Sequence, residues 1–234
     1  MTEAPHPVDR RMTRRRALAW VGGAAAVALR PIQAIAATTR RYRVICKESW
    51  GGRPRTGTFH YHRIERITVH HSAVTFWDNR RAPARFRAHQ RAHQERGWPD
   101  IAYHLLIDRR GHVYRGRPLW ARGDTATNYN PHRHLLVMCE GNFDQQSPTK
   151  DQLRALVDVL AWACERYDLS VWRIHGHRRY ASTACPGRNL SRLLTDGTIR
   201  RRVRRRINDG GTSLVKICGD SGDALVARIV SGEV

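Results

Sequence analysis

Two histidines and a cysteine fall within eleven residues in the run His175-Gly176-His177-Arg178-Arg179-Tyr180-Ala181-Ser182-Thr183-Ala184-Cys185-Pro186-Gly187. Imidazole nitrogen and thiolate sulfur are the donors that borderline-soft Zn²⁺ prefers. A structural zinc site normally closes with four protein ligands at tight paired spacings, and no second cysteine pair accompanies this run. Three ligands drawn from distant parts of the chain, with the fourth position left for water, would make a catalytic site instead. The run also suits a Cys/His hydrolase with Cys185 as nucleophile. Chelation separates the two chemistries, because only the first depends on a metal.

The elements that must position these groups read as alternating strands and helices. From Arg66 to Ser72 the residues alternate, placing Ile67, Val69 and His71 on one face and Thr68 and His70 on the other. A helix is expected over 84–96, opened by Pro83 and stopped by Gly97, then a strand from Ile101 to Ile107. Gly111 turns the chain into Val113–Arg115, and Leu135–Glu140 forms a further buried strand. Thr149 and Gln152 make a capping-box pattern for a helix to about Tyr167, whose apolar face carries Leu153, Leu156, Leu160 and Cys164. A last, Arg-rich helix follows, with Ile199, Val203 and Ile207 as its packing stripe. These alternations predict an α/β fold in one domain, residues 37–207, with an irregular entry segment and a tail at 208–234.

Residues 1–36 read as a cleavable export signal. Arg14, Arg15 and Arg16 precede the uncharged stretch Ala17–Leu29, and Ala34-Ile35-Ala36 offers the small residues that a signal peptidase requires. The arginine cluster fits the twin-arginine route, and the apolar run is shorter than the roughly 20 residues of a membrane span. Of 234 residues, 42 are Lys or Arg and 20 are Asp or Glu, a formal charge of +22. Removal of the signal takes six arginines and two acids, so the mature chain stays strongly basic. A basic surface attracts polyanions without naming them. Export to the periplasm, cell wall or exterior argues against nucleic acid and points to the anionic wall. Five cysteines leave at least one outside any intramolecular disulfide.

A series of landmarks runs through the chain: Ser49-Trp50-Gly51, Val69-His70-His71-Ser72, Gly97-Trp98-Pro99-Asp100-Ile101-Ala102-Tyr103-His104, Gly141-Asn142-Phe143, Gly176-His177-Arg178 and Thr183-Ala184-Cys185-Pro186-Gly187. Each is weak alone, but together, in this order, they are specific. With them the chain resembles the zinc-dependent N-acetylmuramoyl-L-alanine amidase and peptidoglycan recognition protein family. The resemblance implies a single-domain mixed β-sheet flanked by helices, with His70, His177 and Cys185 as zinc ligands and Tyr103 and Thr183 beside the metal. It implies hydrolysis of the amide between N-acetylmuramic acid and L-alanine by zinc-activated water, with a peptidoglycan muropeptide as substrate. No transmembrane segment or nucleic-acid partner is expected in the mature form, which reads as a monomer.

His71 and His175 are read as non-ligands, His89, His93 and His104 as packing or groove residues, and Glu140 as a charged strand end. Asp124 stands where relatives commonly carry a groove histidine, which bears on substrate contacts rather than on the ligands. The alternative within the fold is a non-catalytic peptidoglycan-binding protein. Such members typically lose the ligating cysteine, and this chain keeps it.

Overall fold

The computed structural model describes residues 38–234; the expected export signal lies outside them. Seven strands form one sheet in the order β6-β2-β5-β3-β4-β1-β7. They are β1 (Arg40–Ile45), β2 (Arg66–His71), β3 (Leu105–Ile107), β4 (Val113–Arg115), β5 (His134–Cys139), β6 (Ile174–Gly176) and β7 (Thr212–Ile217). Within the sheet only β3 and β4 pair antiparallel, joined by a tight turn in which Gly111 takes φ +86°; the other neighbours are parallel. The expected mixed sheet flanked by helices is therefore present.

Helices cover both faces: α1 (Ala82–Glu95), α2 (Lys150–Arg166), α3 (Arg188–Thr195), α4 (Thr198–Asn208) and α5 (Gly219–Ser231). On one face Ile67, Val69, Leu135 and Val137 pack against Leu156 and Leu160 of α2 and Ile199 and Val203 of α4. On the other, Leu106, Tyr114 and Met138 meet Phe86 of α1 and Leu225 and Ile229 of α5. Burial on both sides is what parallel strands require, and it explains their near-continuous apolar runs. Cys164 is buried in the first cluster, as its helix position predicts.

Four expectations change. The entry segment contains β1, because its pairing partner is β7, far away in sequence. The strand expected from Ile101 begins only at Leu105. Before it, Asp100 Oδ1 accepts the Ile101 amide at 2.7 Å and His93 Nδ1 accepts the Ala102 amide at 3.1 Å, so these backbone donors never enter the ladder. The Arg-rich helix is present as expected: it is α4, with Ile199 and Val203 buried, and it is set off from α3 by Gly197, whose φ of +80° lies in the left-handed region. Residues 208–234, expected as a tail, supply β7 and α5, which pair with β1 and pack on α1. Thr149 caps α2 as expected, but the Gln152 side chain does not reach back to it. The Gln152 backbone N–H donates to Thr149 Oγ1, while its side-chain Nε2 donates to the Ile107 and Glu140 carbonyls, tying the helix start to the sheet.

A disulfide joins Cys46, just after β1, to Cys218, just before α5. Among the described residues no helix is long and apolar enough to cross a membrane. Cross-linking residues 172 apart chiefly restricts the unfolded chain. Replacing Cys218 by Ser should therefore lower Tm by about 4–16 °C in a melting scan, from a typical 2–4 kcal/mol and the slope for a domain of this size.

Candidate metal centre and active site

His70 stands near the C-terminal end of β2, between the parallel strands β5 and β6. Its β2 neighbours Val69 and His71 point to the opposite face. Thr68, on the same face as His70, bonds His134 Nδ1 at 2.7 Å, so the row beneath His70 is polar but satisfied. His177 follows β6 directly, at the start of a short 3-10 turn. The loop then returns Cys185 toward β2. It is held by the Arg178 amide on the Cys185 carbonyl at 3.0 Å and the Arg178 guanidinium on the Ala184 carbonyl at 2.6 Å. Gly187 is required here: its φ is +83°, and a Cβ would lie 2.6 Å from the Phe143 backbone.

These elements bring one ligand atom each from His70, His177 and Cys185 within 4.8 Å of one another. Cys185 Sγ lies 3.6 Å from His70 Nδ1 and accepts the His71 amide at 3.4 Å. The His70 and His177 ring centres are 4.6 Å apart. Thr127 Oγ1 sits 2.8 Å from His177 Nε2 and fixes that ring.

The cluster fits a metal ion by its own chemistry. His70 is only 2% exposed, and its buried Nε2 has no hydrogen-bond partner. Burial, reinforced by His177, holds the His70 pKa well below the usual imidazole range. Burial likewise lowers His177, to about 4. Both rings are thus neutral donors at physiological pH. Burial pushes the Cys185 thiol up to about 12, so without a cation the sulfur keeps its proton. Two neutral imidazoles and one thiol form the N/N/S set that zinc favours, and among the described residues no fourth metal-binding side chain joins the group.

The remaining expected residues fall around this cluster. Tyr103 places its ring centre 5.2 Å from that of His70, and burial raises its pKa far above that of an ordinary phenol. Thr183 Oγ1 accepts the Cys185 amide at 3.2 Å. His71 Nδ1 accepts the Phe143 amide at 3.2 Å, and the His175 ring packs edge-on against Tyr180; neither belongs to the cluster. His89 and His93 line the cavity, whereas His104 is buried between the Leu136 amide and the Ala121 carbonyl. Glu140 directly follows the end of β5, as expected. It is fully buried and accepts hydrogen bonds from Ser72 Oγ at 3.0 Å and His89 Nε2 at 2.9 Å. Asp124 lines the cavity, and its carboxylate is paired at 2.6 Å with Arg117, which is 1% exposed. Thr127 escapes sequence reasoning, because it lies in a polar loop with no periodicity to mark it.

A cavity of about 460 Å³ opens over the cluster. His70, His177 and Cys185 line it together with Tyr103, Trp98 and Arg96 on one side and Thr125 and Thr127 on the other. The family model described as N-acetylmuramoyl-L-alanine amidase matches residues 60–188, so the chain belongs to that family. Peptidoglycan-recognition protein SC2 of Drosophila melanogaster is 32% identical over 151 residues, covering 63% of this chain and 82% of the relative. The endolysin of Escherichia phage T7 is 34% identical over 105 residues, 43% of this chain and 68% of the endolysin. The structure of peptidoglycan recognition protein-LE in complex with tracheal cytotoxin, a monomeric diaminopimelic acid-type peptidoglycan, superimposes with a TM-score of 0.60. It shares 27% identity, covering 65% of this chain and 92% of the other.

The protonation states predict how a metal binds. At neutral pH both imidazoles are already free of their extra proton, whereas the thiol still holds its own. Zinc uptake should therefore release about one proton, and affinity should rise about tenfold per pH unit between pH 6 and 9. Calorimetry in buffers of different ionisation enthalpy checks this, and pH-independent affinity with no proton release would contradict it.

Proposed function

We propose that the protein is an exported zinc-dependent amidase that cleaves the bond between N-acetylmuramic acid and the L-alanine of the stem peptide. The observation that carries the reading is the convergence of His70, His177 and Cys185 beneath an open cavity, in a chain of the amidase family, with Tyr103 and Thr183 at its edge. Retention of Cys185 together with Tyr103 favours hydrolysis over peptidoglycan binding alone. The complex of the related recognition protein-LE with a muropeptide supports the cavity as the place where the stem peptide lies.

His70, His177 and Cys185 would hold the zinc, with Thr127 steadying His177. Zinc bound there supplies a Lewis acid that polarises the amide carbonyl and makes water nucleophilic near neutral pH. Tyr103 stays protonated, because burial disfavours its phenolate, so it remains a hydrogen-bond donor toward negative charge developing on the carbonyl oxygen. Thr183 uses its oxygen to accept the Cys185 amide, which leaves the hydroxyl proton free to donate into the cavity. The thiol sulfur is held by the His71 amide, a donor that stabilises the thiolate once a metal displaces the proton. The Arg117–Asp124 pair fixes the far wall, so the Asp124 carboxylate is engaged in shaping the groove. Residues 1–36 act as the twin-arginine-type signal, and the mature chain works at the wall as a monomer.

Incubating the mature chain with muropeptides should release stem peptides carrying a free L-alanine amine. New reducing sugar ends would instead reveal a glycosidase. A strong chelator should abolish the activity and Zn²⁺ should restore it. Tyr103→Phe should lower kcat by about 10²–10³-fold, the usual loss for one oxyanion donor, while muropeptide binding is little changed.

A further inference from the structure

A second cavity, of about 240 Å³, lies at the free edge of β6, beside the loop that carries His177. His175 comes from the strand, Arg178 and Arg179 from the turn that follows, Ser191 from α3 and Arg200 from α4. No carboxylate lines it. The nearest acid in sequence to Arg200, Asp196, accepts the Thr198 amide at 2.8 Å and is not among the lining residues. The charges that bear on His175 are all arginines, from Arg179, Arg200, Arg173 and Arg66. Such a gathering of like charge raises the free energy of the empty site and is relieved by an anion.

Two buried polar atoms at this cavity also lack a partner. Ser191 is 5% exposed and its Oγ has no hydrogen-bond partner; Arg200 Nε is buried and unpartnered as well. Buried donors are nearly always satisfied in folded proteins, so an orphan pair in one cavity points to a ligand that completes them. Arg200 is not free to swing away, because its guanidinium stacks 5.0 Å over the Trp172 ring. The donors come from four elements, β6, the turn after it, α3 and α4. Several guanidinium donors converging on one cavity are the usual partners of phosphate.

We propose that His175, Arg179, Ser191 and Arg200 form a phosphate-binding site, separate from the cavity over the His70–His177–Cys185 cluster. The charge of the chain and its expected place at the wall favour the phosphodiester of an anionic wall polymer as the source, and inorganic phosphate is the minimal ligand. Bound there, a wall phosphate would tether the protein beside the peptidoglycan while leaving the metal cluster open.

The full mature chain is titrated with inorganic phosphate, against chloride at equal ionic strength, following the His175 ring signals by NMR and Tm by melting. A saturable shift of His175 and a rise in Tm specific to phosphate are expected. Arg179→Gln with Arg200→Gln should weaken binding about tenfold or more, the usual effect of removing charged hydrogen bonds. Ser191→Ala should leave the phosphate-free Tm unchanged or slightly higher, since it removes an unsatisfied hydroxyl, and yet lose much of the rise with phosphate. Equal responses to phosphate and chloride, or variants that bind as the wild type does, would overturn the site. Duplex DNA that binds with a salt slope unchanged in the double variant, without a phosphate-specific His175 shift, would also overturn it and mark the surface as a general polycation.

The source is read by sedimenting the protein with walls bearing poly(glycerol phosphate) and with walls stripped of phosphodiester polymers. Stronger retention on intact walls, lost in the double variant, identifies the polymer. Phosphate binding with equal retention on both walls identifies the free ion as the ligand. Muropeptide cleavage by the double variant in phosphate-free buffer should match the wild type, so failure of the anion site is distinguishable from failure of the amidase reading.

Discussion

The arrangement depends on one contact, the sulfur of Cys185 lodged against the end of β2, 3.4 Å from the His71 amide and 3.6 Å from His70 Nδ1. Parallel pairing of β2 with β6 sets the two imidazoles side by side, because His177 leaves β6 where His70 nears the end of β2. The sulfur must come from elsewhere, and the turn after His177 folds back to deliver it. Gly176 allows this approach, since a Cβ there would meet the Pro186 ring at 2.9 Å. Gly187 allows the departure against Phe143.

Around that contact the sheet divides its labour by face. One face buries an apolar layer under α2 and α4. The other buries an apolar layer under α1 and α5 and, toward the cavity, polar side chains with specified partners: Thr68 with His134 on the sheet, and Glu140 with Ser72 and His89 and Arg117 with Asp124 just beyond it. Burying polar groups is costly unless each is hydrogen-bonded, and these satisfied pairs form a rigid surround. Against it, the buried Nε2 of His70 has no hydrogen-bond partner in the protein.

Much of the site was legible because its signals are local. Strand alternation put His70 on the face opposite Val69 and His71, and the resemblance carried His177, Cys185, Tyr103 and Thr183 onto positions that the fold gathers in one cavity. What stayed hidden is non-local. The strand at Arg40–Ile45 makes sense only beside Thr212–Ile217, and its disulfide partner is 172 residues away. No spacing rule reveals such a pairing, so the C-terminal strand and helix read as a tail. The late start of the strand expected from Ile101 turns on two side chains, those of Asp100 and His93, which take over backbone donors. Thr127 and the Arg117–Asp124 pair lie in loops, where partners are chosen by tertiary placement alone.

The central claim is that two imidazoles and one thiolate hold the metal and leave a corner open. X-ray absorption at the zinc edge of the metal-loaded protein tests it most directly. The account predicts one sulfur at about 2.3 Å and two imidazole nitrogens at about 2.0–2.1 Å, with one further light scatterer that is exchangeable with solvent. A shell without sulfur, or one closed by four protein ligands, would contradict it.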